Sequence, residues 1–140
     1  MNRPTISAVI ITHNEENWIE GCIRCLNWVD EVLVLDGEST DKTVEVAKKF
    51  TRNVYSHKFD NFQDQKNRLL RHVKTDWIIS IDADERSTPD FGKAVLKAIS
   101  NPGDFVAFEV LTSDVFLGKR MYYGGWYPQY HSRVLKMNNF

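Results

Sequence analysis

The sequence lacks the features that mark membrane-spanning, secreted or nucleic-acid-binding proteins. No apolar run approaches the roughly 20 residues that cross a bilayer, and the opening MNRPTISAVII lacks the length and flanks of a signal peptide. Eighteen basic and nineteen acidic residues give a formal net charge of -1, so no global field attracts nucleic acid. These absences predict a cytoplasmic protein with no membrane span and no nucleic-acid partner.

Cysteine is scarce. The two cysteines, Cys22 and Cys25, form a C-x-x-C pair. A zinc site needs about four ligands and the sequence has no second cysteine pair, while a redox pair opens its helix rather than lying within it. We therefore interpret Cys22 as an inert thiol on the apolar face of a helix.

The glycine motifs that cradle phosphates are absent as well. The sequence contains neither G-x-G-x-x-G nor G-x-x-x-x-G-K-[ST]. A phosphorylated ligand would therefore have to be held by a metal ion and by cationic side chains.

What the sequence does contain is an alternation of strand and helix patterns, in a chain whose 42% hydrophobic content suits one compact domain. Apolar, β-branched runs predict strands at residues 6–12, 29–35, 54–57 and 77–81. Apolar residues at helical spacing predict four helices. Their markers are Trp18, Ile19, Cys22, Ile23 and Leu26 in the first, the stretch 42–50 in the second, Phe62, Leu69, Leu70 and Val73 in the third, and Thr88, Pro89, Phe91, Val95 and Ile99 in the fourth.

This alternation predicts an α/β fold with a mostly parallel sheet and helices on both faces. Residues 105–112 form a further extended run, and the aromatic stretch MYYGGWYPQYH after it predicts mixed sheet and ligand-facing loops. We treat residues 1–140 as a single domain. Because the last residues, 136–140, contain no obvious closing element, we expect a C-terminally truncated domain.

Polar residues follow three of the predicted strands, where ligands of open α/β sheets gather. Asp82 and Asp84 follow the fourth strand, and two carboxylates at this spacing can share Mg²⁺ or Mn²⁺. A surface acidic turn is the alternative. Asp36 follows the second strand, where Ser39 and its neighbours are able to cap the next helix, which leaves Asp36 free to accept hydrogen bonds from a base or ribose. The alternative is an ordinary turn residue.

Four motifs in order, ISAVIITHNEE, VLVLDGESTDKT, QKNRLL and WIISIDADE, resemble those of family 2 glycosyltransferases with a GT-A fold. The stretch Gly125 to Pro128 is similar to one in bacterial enzymes that extend lipopolysaccharide core or other surface glycans. The resemblance implies a nucleotide-sugar donor, commonly a UDP-sugar, a saccharide or glycolipid acceptor, and peripheral contact with the inner face of the bacterial membrane.

The resemblance also implies roles for particular residues. The nucleotide-binding residues would be Thr12, Asn14, Glu15, Asp36, Lys66, Asp82 and Ala83, with Asp36 on the base. Asp82 and Asp84 match the family's D-x-D, in which the second carboxylate is the more direct metal ligand. Lys66 replaces the arginine common in the family, and it keeps the charge but not the planar fork. A solvated charge on a helix is the alternative for Lys66.

The family's catalytic carboxylate, which follows the D-x-D at some distance, has no clear counterpart here. The last acid in the chain is Asp114, and Gln129 occupies the expected acidic position. Glu109, Asp114 and His131 are the weak candidates for the general base, although a lone histidine in an aromatic segment is more often structural. The predicted function is metal-dependent, inverting sugar transfer. The alternatives are a catalytically silent nucleotide-sugar-binding module and a nucleotidyltransferase.

Overall fold

A computed structural model describes residues 3–137, which form one large sheet, a small hairpin and four helices. The strands are β1 (Ile6–Thr12), β2 (Glu31–Asp36), β3 (Val54–Ser56), β4 (Trp77–Ser80), β5 (Ala107–Thr112), β6 (Val115–Phe116), β7 (Lys119–Arg120) and β8 (Gln129–Lys136). The helices are α1 (Ile19–Arg24), α2 (Thr43–Lys48), α3 (Phe62–Leu70) and α4 (Pro89–Ser100). The predicted ending at 136–140 lies partly outside the described residues.

The large sheet has the strand order β3-β2-β1-β4-β8-β5, so β1 lies between β2 and β4. Strands β1 to β4 pair in parallel, and the register sets Thr12 beside Asp36 at the carboxyl ends of β1 and β2. The run Ile6–Ile10 is buried because helices cover both faces of this central strand. The predicted α/β class with a mostly parallel sheet is confirmed.

Two layers of apolar side chains hold the helices on the sheet. One layer packs α1, α2 and α4 against β1 and β4 around Ile10, Trp77 and Ile79. The other packs Leu69 of α3 against Val9 and neighbouring residues of β2. Helix α4 follows its predicted signals, since the Thr88 hydroxyl accepts a hydrogen bond from the Phe91 amide and Pro89 is the first helical residue.

Two residues assigned to apolar stripes were placed wrongly. Trp18 is 53% exposed because α1 begins after it, and its ring lies against the Arg86 guanidinium at the surface. Phe62, the first residue of α3, is 68% exposed. Val73 lies beyond the end of α3 and still packs against the second layer.

The C-terminal part adds the mixed sheet that the sequence predicts. Strand β8 inserts between β4 and β5 and is antiparallel to both. In the β5–β8 ladder Phe108 pairs with Val134 and Glu109 pairs with Ser132, so Arg133 is an extra residue in a β-bulge. Among the four helices of residues 3–137, none has the length and apolar character that crossing a membrane requires.

Candidate active site

A cavity of about 520 Å³ opens at the carboxyl ends of β1 and β4. It is lined by Ile11, Thr12, His13, Glu15, Phe59, Phe62, Asp82, Ala83 and Asp84. Because β1 and β4 are parallel neighbours, their C-terminal residues meet at one edge of the sheet. The fold therefore brings the predicted D-x-D and the end of β1 into a single site.

Thr12 contributes a buried polar atom to this site. The residue is 2% exposed, and within residues 3–137 its hydroxyl has no hydrogen-bond partner. Buried hydroxyls are normally paired, so an unpaired one in a cavity wall indicates a place for a ligand atom. Beside it, His13 is held by a 2.8 Å contact between Nδ1 and the Gly37 carbonyl.

The turn after β4 is held from two sides by arginines. Arg86 donates to the carbonyls of Ala83 and Glu85, at 3.0 and 2.7 Å. Arg133 of β8 donates to the carboxylates of Glu85 and Asp82, at 2.8 and 3.3 Å. Glu85 also accepts from the Asp82 backbone amide at 2.8 Å. Burial raises the pKa of Glu85, although the Asp82 amide and Arg133 oppose that rise.

Asp84 is the acid of this turn whose carboxylate has no partner among the described residues. It is exposed, and within residues 3–137 no hydrogen bond or ion pair engages its carboxylate. Burial raises the pKa of Glu15 across the cavity, and the carboxylates of Asp84 and Asp41 raise it further, whereas His13 lowers it. The cavity therefore has a concentrated negative charge that a cation would relieve.

The described residues contain no preformed cage for a metal, since nowhere in 3–137 do three histidine, cysteine or acidic side chains converge. Asp82 and Asp84 are two carboxylates at one rim of the cavity, with Asp84 unengaged. This donor set fits a hard divalent cation that takes its other ligands from water and phosphate, as Mg²⁺ commonly does.

The prediction that Asp36 stays free of the following turn was wrong. Its carboxylate accepts from the backbone amide and the hydroxyl of Ser39, at 2.9 and 2.5 Å, and the residue is 1% exposed. Asn14 also stabilises this loop, because its side-chain carbonyl accepts from the Thr40 amide at 2.8 Å. Neither Asp36 nor Asn14 is among the cavity-lining residues, although both lie next to Thr12 or Glu15.

Other predicted site residues lie away from the cavity. Lys66 is exposed on α3. Glu109 lies on β5, Asp114 between β5 and β6, and His131 on β8. In residues 3–137 the lining of the cavity includes none of these four. Their roles stay predictions.

Sequence reasoning missed three features of the site. Phe59 and Phe62 form an edge-to-face pair, with ring centroids 5.1 Å apart, in the cavity wall. Gln65 is buried and fixes the loop before α3 by donating to the carbonyls of His57 and Lys58. Arg133 lies far from the D-x-D in the chain, and only the insertion of β8 beside β4 brings it there.

The structure supports the interpretation of Cys22 as an inert thiol. It is buried in α1, and burial raises the pKa of its thiol to about 12. A thiol with so high a pKa is almost entirely protonated at neutral pH and is a poor nucleophile or metal ligand.

Comparison with known proteins decides the family. The model of glycosyl transferase family 2 matches residues 7–138. The chain belongs to glycosyl transferase family 2. An uncharacterized glycosyltransferase of Rickettsia bellii is 37% identical over 108 residues, which cover 75% of this chain and 37% of that protein. The glycosyltransferase SunS of Bacillus phage SPbeta is 30% identical over 117 residues, covering 79% and 27%. The chain thus spans less than two-fifths of these family 2 relatives.

Solved structures agree with the family 2 assignment. Mannosyl-3-phosphoglycerate synthase from Rubrobacter xylanophilus has a TM-score of 0.63 and 28% identity, covering 74% of this chain and 38% of that one. Glucosyl-3-phosphoglycerate synthase from Mycobacterium tuberculosis, in complex with Mg²⁺ and UDP, has a TM-score of 0.53 and 28% identity, covering 59% and 35%. The predicted GT-A-like fold is confirmed.

Proposed function

We propose that the protein is an inverting glycosyltransferase that moves a sugar from a UDP-sugar to a saccharide or glycolipid acceptor with the help of a divalent cation. One observation carries this proposal. Asp82 and Asp84 share a cavity with the unpaired Thr12 hydroxyl at the carboxyl ends of two parallel strands. Carboxylates for a metal and a free polar atom for a nucleotide thus meet in one place.

Asp84 and Asp82 would hold Mg²⁺ or Mn²⁺, with Asp84 as the more direct ligand because Asp82 already pairs with Arg133. Such an ion, when bound, stabilises negative charge on the departing diphosphate. The similar synthase from M. tuberculosis was crystallised with Mg²⁺ and UDP, which supports the same type of ligand here.

The nucleoside would lie between β1 and the aromatic wall. Thr12 offers a hydroxyl, and Ala83 is a small, 4% exposed residue that lines the cavity between the two aspartates. Phe59 and Phe62 present apolar rings on which a planar base or the face of a sugar can pack. Asn14 would order the loop beside the nucleoside. Asp36 would hold the same loop through Ser39 and also accept a hydrogen bond from the base, and Lys66 would contribute positive charge from α3.

Inverting transfer needs few groups from the protein. The acceptor oxygen forms a bond to the anomeric carbon while the bond from that carbon to the diphosphate oxygen breaks, and the acceptor's proton passes to a carboxylate base. Positioning of donor and acceptor in line supplies much of the rate. Glu109 and Asp114 are the candidates for this carboxylate within the chain, and the His131 imidazole is the alternative base.

The β6–β7 hairpin bears on the acceptor and on where the reaction takes place. Val115, Phe116 and Leu117 are 65 to 87% exposed in the β6–β7 hairpin, and Lys119 and Arg120 follow them. Exposed apolar side chains beside cations suit the surface of an anionic membrane. We therefore propose a glycolipid acceptor at the inner face of the bacterial membrane, as in the synthesis of lipopolysaccharide or another surface glycan.

A transfer assay tests the proposed activity. Labelled UDP-sugars are incubated with Mn²⁺ and a bacterial glycolipid extract, and both transferred label and nucleotide binding are measured. Transfer of label from one of the donors, abolished by chelator, is expected. Tight binding of UDP without transfer or hydrolysis of any donor would instead identify a silent binding module.

A further inference from the structure

Arg133 occupies an unusual position beside the proposed metal ligands. Its side chain is 17% exposed, and one guanidinium nitrogen lies 2.8 Å from Glu85 Oε1 and 3.3 Å from Asp82 Oδ2. A second nitrogen lies 3.5 Å from the same Asp82 oxygen. The guanidinium thus bridges two acids of the turn that follows β4.

Arg133 lies at a β-bulge in the β5–β8 ladder. Between the pairs Phe108–Val134 and Glu109–Ser132, β5 advances by one residue and β8 by two, so Arg133 has no partner on β5. A bulge changes the direction in which a side chain points, and bulges recur next to active sites for that reason.

The charges around the cavity explain why such a cation matters. Glu15, Asp82, Asp84 and Glu85 lie in or beside one small space. The neighbouring Arg86 is directed to backbone carbonyls of the turn and of Trp18. In the part of the chain that the structure describes, Arg133 is the cation that contacts these carboxylates.

We propose that Arg133 is a positioning residue of the donor site. It fixes the Asp82 carboxylate, and it offsets enough negative charge that the site favours a metal together with a nucleoside diphosphate over the bare metal. A bare cation binds more tightly where negative charge is greater, whereas a diphosphate is repelled by it. Removing Arg133 should therefore shift the two affinities in opposite directions. This inference rests on the proposed function.

Two affinities test this inference in the chain itself. Binding of Mn²⁺ alone is followed by the electron paramagnetic resonance signal of free Mn²⁺, and binding of UDP at saturating Mn²⁺ is followed by calorimetry. Arg133→Gln is expected to bind Mn²⁺ alone about threefold more tightly and UDP about tenfold more weakly. Arg133→Lys keeps the positive charge but loses the planar guanidinium that bridges two carboxylates. Its Mn²⁺ affinity should therefore stay near that of wild type, while its UDP affinity should be partly lost.

Arg52→Gln is the matched control, since it removes one exposed positive charge from the turn before β3. It should leave both affinities unchanged. Loss of both affinities together in a folded Arg133→Gln protein, or no change in either, would overturn the inference. If wild type binds no nucleoside diphosphate, the proposed function fails instead, and the effect of Arg133→Gln on Mn²⁺ alone still tests the electrostatic part.

Discussion

The acidic side chains near the site differ in whether another residue already binds their carboxylates. Asp36 is bound to Ser39, Asp41 to Thr43, and Asp82 to Arg133, whereas Asp84 is open within the described residues. Sequence patterns place Asp36, Asp82 and Asp84 at strand ends, because turn residues must follow buried strands. They do not reveal which acid is engaged, since the partner of Asp82 is brought in from β8, about fifty residues along the chain.

The first residue-scale prediction concerns base selection. A carboxylate has about four lone-pair sites, so Asp36 can accept from a base N–H while it holds Ser39. Wild type should bind UDP about tenfold to a hundredfold more tightly than GDP or ADP, because the wrong base leaves a buried acceptor unpaired. In Asp36→Asn this ratio should fall to within about threefold. The measurement is calorimetry with the three nucleotides.

The ratio of UDP affinity to GDP or ADP affinity distinguishes recognition of the base from damage to the loop, because a damaged loop would weaken binding of all three nucleotides equally. Asp41→Asn is the control, because the Asp41 carboxylate accepts from the Thr43 amide and hydroxyl in the same loop and its replacement should leave the ratio intact. Equal binding of the three nucleotides by wild type would show that Asp36 is only a turn residue.

Among the helices and strands, the sequence was most informative where the residues of one element show its pattern without reference to a distant partner. Strand β1 is continuous and apolar, and α4 has its cap, its first-turn proline and a clear stripe, so both were predicted nearly to the residue. Strand β8 was not predicted as a single strand, because QYHSRVLK alternates little and its place depends on pairing with distant β4. The start of α1 and the end of α3 were misjudged, since Trp18 precedes α1 and Val73 lies beyond α3 although both fit helical spacing.

The element-scale prediction concerns the contact between α4 and the segment after α1. A Cβ added to Gly92 would lie 2.6 Å from the Trp28 ring. That ring cannot easily move, because its indole N–H donates to Ser87 and its edge packs against Phe91. Gly92→Ala should therefore lower the free energy of unfolding by about 1–3 kcal/mol, despite alanine's better helix propensity.

Denaturant unfolding of Gly92→Ala measures this loss. Lys97→Ala, at an exposed position of the same helix, is the control and should change stability by less than about 0.5 kcal/mol. If Gly92→Ala were as stable as wild type, the close packing of α4 on Trp28 would be contradicted.

At the scale of the whole molecule, candidate residues for binding the donor line the cavity, whereas candidates for activating the acceptor do not. Both metal-binding candidates and four of the seven nucleotide-binding candidates line one cavity, whereas Glu109, Asp114 and His131 are not among its lining residues. The chain also spans only 37% of its Rickettsia relative. The sequence could indicate the donor site because its motifs are local, while a base positioned by long-range folding leaves no local pattern.

We therefore predict that binding and turnover separate in this molecule. The 140-residue chain should bind UDP but transfer sugar slowly, because general base catalysis typically supplies about a hundredfold to ten-thousandfold in rate. Calorimetry of UDP binding and a transfer assay with a labelled donor measure the two properties in the same protein. Full turnover by the 140-residue chain, abolished by Glu109→Gln or Asp114→Asn with binding intact, would contradict this and identify the base.

The most direct test of a metal-dependent donor site is calorimetry of UDP binding with Mn²⁺ and with chelator, in wild type and Asp84→Ala. Loss of one charged ligand commonly costs a few kcal/mol, so the variant should bind at least about a hundredfold more weakly, and chelator should weaken wild type similarly. Asp90→Asn, which removes an exposed acid of α4, should behave as wild type. Equal affinity of wild type and Asp84→Ala, with and without chelator, would contradict the metal site.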